Sequence, residues 1–190
     1  MAMFPRARRA ADTHTFRLLP LLLVTMIATG GCMSSSPEDD PNTRLPRMER
    51  SDALTWARDY TSYMAEITDV ELINSTEKIN YEECLGANGE LADDGRYSLF
   101  YYVYSPAPVT EHTRVVRALR QELKKKGYEV TGYREFKDSY YAATLSARNR
   151  SNGYSVTADT VGSGKTKPQR LSFAVRTPCM LPPGVKQQQF

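Results

Sequence analysis

The chain has 190 residues, with 25 Lys and Arg against 22 Asp and Glu, a formal charge of +3 and a pI of about 8.7. The first 31 residues hold four Arg and one Asp, and without them the chain carries 21 charges of each sign. The basic pI therefore belongs to the N-terminal stretch and gives no ground for nucleic-acid binding.

That stretch comes first along the chain. Leu18 to Gly31 is an uncharged run of 14 residues behind Arg6, Arg8, Arg9 and Arg17. A bilayer-spanning helix needs about 20 such residues, whereas a secretory signal uses a shorter core behind a basic start. The run ends Thr29-Gly30-Gly31-Cys32, with small residues directly before the cysteine. This ending resembles the lipobox of bacterial lipoproteins, with threonine where leucine is usual. The resemblance implies cleavage before Cys32, lipidation of its thiol and residence at the extracytoplasmic face of the cell membrane. Acyl chains would hold it there at roughly 0.8 kcal/mol per buried CH₂. Cleavage without lipid, leaving a free thiol, and an uncleaved anchor are the plainer alternatives. Arg8-Arg9 suggests twin-arginine export, but Ala10, Ala11 and Asp12 follow where apolar residues belong.

The expected organisation is a signal peptide over 1–31, a lipidated Cys32 with a flexible tether to residue 46, one domain over 47–182, and a tail over 183–190. The tether, MSSSPEDDPNTRLP, is polar and punctuated by proline. A helix is expected from Ser51 to Thr68, capped by Ser51 or Asp52, with Ala53, Trp56, Tyr60, Tyr63, Met64 and Ile67 as its buried stripe. A weakly patterned strand around Lys78–Cys84 and a Gly/Asn/Asp-rich loop over Gly86–Gly95 follow. Arg96–Ser105, RYSLFYYVYS, is the clearest strand. Both its faces are apolar or aromatic, which predicts a central position, and burial under other elements explains its tyrosines more simply than a platform for sugar rings.

Thr110 is expected to cap a second helix over Glu111–Lys126 that stops at Gly127, with Val115, Val116, Leu119 and Leu123 buried. Arg117, Arg120 and Lys124 lie opposite that stripe. A solvated face is their plain reading and an anion-binding face the sharper one. An antiparallel meander comes next: Tyr128–Phe136, a tight turn at Lys137-Asp138, Ser139–Arg148, a hairpin at Asn152-Gly153, Tyr154–Val161 and Leu171–Thr177. The sum is an α+β fold, two helices on one face of a mostly antiparallel sheet of five or six strands.

Cys84 and Cys179 are the cysteines left after Cys32. A disulfide is the simplest reading for an exported protein; two free thiols, or a metal or redox pair, are the alternatives. Charge is uneven: Met33–Thr110 has 6 basic and 15 acidic residues, Glu111–Phe190 the reverse. Either the two halves attract each other within one fold, or a basic surface faces anionic lipid or wall polymer.

Motifs for catalysis are weak. Gly162-Ser163-Gly164-Lys165-Thr166 ends like a phosphate-binding loop, but Asp159 stands where the motif needs its first glycine. His112 is the one histidine after Cys32, with no nucleophile elbow to serve, and it leaves a zinc site short of ligands. Glu82-Glu83 and Asp93-Asp94 offer carboxylates for acid/base work, but neighbours on a strand point to opposite faces. No catalytic residue, metal or cofactor is assigned.

With Cys32, Cys84 and the ending Thr177-Pro178-Cys179 in place, the order of lipobox, tether, helix, cysteine-bearing strand, meander and terminal cysteine resembles small actinobacterial lipoproteins, such as the LppA-like group. The resemblance implies a location and no reaction. The expected function is a lipid-anchored, non-enzymatic domain meeting an envelope polymer or a membrane protein. Its surfaces would be the basic stretch Arg114–Lys126 and the aromatic strand Tyr97–Tyr104. An envelope hydrolase using a carboxylate pair, or a carrier with a cavity for an apolar ligand, are the alternatives.

Overall fold

The computed structural model describes residues 42–86, 88–136, 142–162 and 169–190. The leader, Cys32, most of the tether, the Lys137-Asp138 turn and the loop over 163–168 lie outside the described residues. Two helices, α1 (Arg50–Glu66) and α2 (Val109–Lys125), accompany six strands. These are β1 (Ile73–Glu83), β2 (Tyr97–Ser105), β3 (Glu129–Glu135), β4 (Ala143–Arg148), β5 (Ser155–Val161) and β6 (Arg170–Arg176). They form one sheet in the order β1-β2-β6-β5-β4-β3, every neighbouring pair antiparallel. The fold is α+β, as the element pattern predicts.

Strand directions explain why α2 exists where it does. Four antiparallel steps separate β2 from β3, so the two run the same way on opposite sides of the meander. A hairpin cannot join strands so placed; the chain needs a crossover, and α2 supplies it while covering β3 to β6. The helix α1 lies beside it over β2 and β6. Tyr63 donates to Glu122 at 3.2 Å, and the Lys126 ammonium sits 4.5 Å from the Tyr63 ring centre, joining the helices. Both helices share one core with Leu99, Tyr101, Val103, Leu145, Phe173 and Val175, all from the same face of the sheet.

Local signals placed α2 well. Val115, Val116, Leu119 and Leu123 are fully buried, and Gly127 ends the helix with φ +81°. The cap, however, is Pro108, not Thr110: its ring holds φ at −58°, and Glu111 N–H bonds the Pro108 carbonyl. The cap of α1 is likewise Glu49 in place of Ser51 or Asp52, and it makes no side-chain capping bond. Arg50 is the first residue of that helix, and its guanidinium lies 5.2 Å from both the Tyr81 and Tyr97 rings. The buried stripe of α1 is also different: Ala53, Ala57, Thr61, Met64 and Ala65 meet the sheet. Trp56, Tyr60 and Tyr63 stand on its flank, where Trp56 packs on Tyr154 with ring centres 4.3 Å apart.

The Asn152-Gly153 hairpin joins β4 to β5. Asn149 and Tyr154 close it, and Gly153 takes φ +74°. At the same end of the sheet, Arg47 bridges Leu181 in parallel, and Met180 exchanges two backbone bonds with Tyr97. Asn42 and Phe190 bond each other twice, while Gln187 bonds Thr43 and Leu45. Residues 42–46, read from the sequence as the end of a tether, are thus tied to residues read as a tail. Cys84 and Cys179 form a disulfide that joins the end of β1 to the segment after β6.

Candidate functional site

With both helices on one face, the other face of the sheet is uncovered by any described element. Alternation along β2 sends Tyr97, Leu99, Tyr101 and Val103 under the helices and Phe100, Tyr102 and Tyr104 to the open side. The ring centres stand 5.9 Å apart for Phe100–Tyr102 and 5.5 Å for Tyr102–Tyr104, forming a continuous aromatic row. Burial under helices therefore accounts for Tyr97 and Tyr101, two of the strand's five aromatic residues. Phe100, Tyr102 and Tyr104 are partly exposed, which corrects the reading of β2 as covered on both sides.

Arginines sit at the two ends of the row. The Arg176 guanidinium lies 4.9 Å from the Phe100 ring, and that of Arg170 lies 5.8 Å from Tyr104. Arg176 also pairs with Glu82. Beside the row the sheet is low, because the in-register residues are small. Tyr102 faces Ala174, then Thr157, Ser146 and Gly132 across four further strands. Tyr104 leads in the same way to Ser172, Asp159 and Thr144. Burial lifts the Asp159 carboxyl above its usual range, against the hydrogen bond from Thr144. Partial burial and the hydroxyl of Tyr102 raise the Tyr104 phenol. The result is an aromatic wall above a floor of hydroxyls, with guanidinium groups at its ends.

The expected anion-binding face has a different fate. Arg117, Arg120 and Lys124 do come together, lining a recess of about 270 Å³ with Tyr133 and Glu135 of β3. Arg117 forks onto Glu135 at 2.6 and 2.5 Å, and Arg120 stacks 4.2 Å from the Tyr133 ring. Glu135 is held at about 2 by the Arg117 fork and the Tyr133 hydroxyl. The protein's own carboxylate thus occupies the anion position.

His112, Glu82 and Asp94 are engaged in internal contacts. His112 is buried, its Nε2 3.0 Å from the Ala107 carbonyl and its Nδ1 3.0 Å from Thr160 Oγ1. A proton on Nε2 satisfies both contacts, because the Thr160 oxygen accepts from Ala143 N–H and its hydroxyl can donate to Nδ1. Burial lowers the His112 pKa. Glu82 holds Arg176, and Asp94 holds Arg96 at 2.6 Å. Among the described residues no group of three or more His, Cys, Asp or Glu could hold a metal ion, and no helix is long and apolar enough to cross a membrane.

Ion pairs among the described residues fall both across the two halves and within each of them. Arg176–Glu82 joins them, but Arg58–Glu77 lies within the first half, and Arg114–Glu111, Arg117–Glu135 and Arg150–Glu129 lie within the second. The role of Arg170 and Arg176 was hidden in the sequence, since their partners sit on β2, some seventy residues earlier. Alternation of charge with small residues along RLSFAVR was the one available signal. No protein-family model, curated protein or solved structure matches the chain.

Proposed function

We propose that the chain is a lipid-anchored, extracytoplasmic, non-enzymatic domain that binds an anionic envelope polysaccharide on the open face of its sheet. The aromatic row Phe100–Tyr102–Tyr104 carries the reading. Sugar rings present flat C–H faces to aromatic rings and hydroxyls to their surroundings, which suits a wall of rings over Thr157, Ser146 and Ser172. Arg170, beside Tyr104, favours a polymer with negative charge, while Arg176 at the other end of the row is paired with Glu82. The anchor half of the reading rests on the run from Leu18 to Cys32. A binding role is supported by His112, Glu82, Asp94 and Glu135 each being engaged in internal contacts.

Co-sedimentation with isolated cell-wall polysaccharide tests the ligand. Loss of one stacking ring costs on the order of 1 kcal/mol, so Tyr102→Ala should weaken binding about fivefold, while Lys124→Ala, away from this face, should not. Equal sedimentation of wild type and Tyr102→Ala would remove the sheet face from consideration. For the anchor, an intact mass beginning at Cys32 with a diacylglyceryl adduct is expected, along with release of Cys32→Ala into the soluble fraction.

A further inference from the structure

The glycan reading leaves one end of the molecule unused. Leu85 and Leu91 face each other across an isolated antiparallel bridge and are 56% and 54% exposed, although the loop around them is polar. Two large apolar side chains held side by side in water at a loop tip are a contact surface in search of an apolar medium.

The same end gathers cations. One hydrogen-bonded row runs across the sheet from Phe100 through Arg176, Ser155 and Arg148 to Glu129, next to the last turn of α2. Lys124, Lys125 and Lys126 close that turn, and Arg148 and Arg150 flank the β4–β5 hairpin. Arg44 lines a recess of about 640 Å³ with these two arginines. Glu122 meets Lys125 at 3.4 Å and Glu129 meets Arg150, and Lys124 and Lys126 bring two further positive charges to the end of α2. Glu83, Glu90 and Asp93 lie on the leucine side, where Glu90 is occupied by Asn88 N–H at 2.7 Å.

We infer that this end of the domain docks on an anionic lipid surface, with Leu85 and Leu91 entering the headgroup layer and the cations of α2 and the β4–β5 hairpin over lipid phosphates. The inference rests on the lipid anchor proposed at Cys32. Connectivity selects lipid as the occupant. The chain enters the described domain at Asn42, beside Phe190 and the Leu85–Leu91 loop. Ten residues separate Cys32 from Asn42, a chain length for which the average reach is roughly 20 Å, while a strand as long as β2 puts the opposite end about 30 Å farther off. The anchored end therefore meets the bilayer at high effective concentration. An end that carries exposed leucines on one side of the sheet and Lys and Arg on the other also has the composition that an anionic interface takes up, at about 1 kcal/mol per cation near the surface. Docked this way, the strands stand away from the membrane and the aromatic row faces sideways.

Amide hydrogen exchange on the mature protein tests this. It would be reconstituted into vesicles of phosphatidylglycerol and phosphatidylcholine in equal parts, into phosphatidylcholine vesicles, and into detergent micelles. In the mixed vesicles the amides of Leu85, Leu91 and the β4–β5 hairpin should exchange about tenfold slower than in micelles, with the α1–β1 turn at Asp69–Glu71 unchanged. Replacing both surface leucines (Leu85→Ser with Leu91→Ser) should abolish the slowing while leaving the fold intact, and Tyr102→Ala should keep it. Unslowed exchange in protein that is acylated and incorporated would overturn the docking and leave the anchor standing. Equal slowing in pure phosphatidylcholine would overturn the anionic selection. A mass without lipid, in protein that fails to incorporate, would sink the anchor and the docking together.

Discussion

Asp94 and Arg96 form an ion pair with side chains only 4% and 2% exposed. Asp94 also accepts from the Gln188 N–H at 2.8 Å, and Arg96 donates to the Gln188 carbonyl while its guanidinium lies 4.8 Å from the Phe190 ring. From the sequence Asp93-Asp94 is a solvated loop pair; what buries Asp94 is a tail that returns from 94 residues away. The fork from Arg96 and the backbone donors hold its carboxyl at about 2, below its ordinary 3.8. A carboxylate whose pKa falls on folding stabilises the native state above the unfolded value. Its contribution, about 2 kcal/mol, is lost as pH drops from about 4 towards 2. Asp94→Asn should therefore be less stable than wild type at pH 7, and the gap should narrow in acid, as read from urea midpoints at pH 7 and pH 3.

Among the elements, both helices were legible, but the buried face was read correctly for α2 and only in part for α1. Val115, Val116, Leu119 and Leu123 repeat at helical spacing on an otherwise charged segment, so one face had to be buried. In α1 the large aromatics drew attention, yet Ala57, Thr61 and Ala65 face the sheet because small residues let the helix approach β2 and β6 closely. This contrast has two measurable consequences for the denaturant midpoint. Leu119→Ala opens a cavity under α2 and should cost about 3 kcal/mol. Ala57→Leu, which changes helix propensity little, should cost about 1–3 kcal/mol by overpacking a fully buried position. A neutral Ala57→Leu would mean that α1 rides loosely on the sheet. The tyrosines of β2 show the limit of pattern reading at this scale: alternation marked the strand and both its faces, but not which face the helices would choose.

Over the whole molecule, the disulfide between Cys84 and Cys179 closes a loop with a sequence separation of 95 residues. In the chain-entropy account such a closure contributes about 4–5 kcal/mol by restricting the unfolded chain. Replacing both cysteines with alanine should lower stability by that order. Because the bonds of Asn42 with Phe190 and of Arg47 with Leu181 lie at the same end, it should also quicken amide exchange there before it does so in β4 and β5.

The sequence by itself determined the α+β class, the order of helices and strands, the meander of β3 to β6 and the stop of α2 at Gly127. It also identified Cys84 and Cys179 as the pair available for bonding. Each of these follows from periodicity, turn residues or counting, which are properties of short stretches. Only the tertiary structure decided that β6 slips in beside β2, so that Arg170 and Arg176 reach the aromatic row. It also gave Arg117 to Glu135, and folded residues 42–46 and 183–190 together at the end where Leu85 and Leu91 remain exposed. These outcomes depend on contacts between segments far apart in the chain, where charge and volume are matched only once the sheet has assembled.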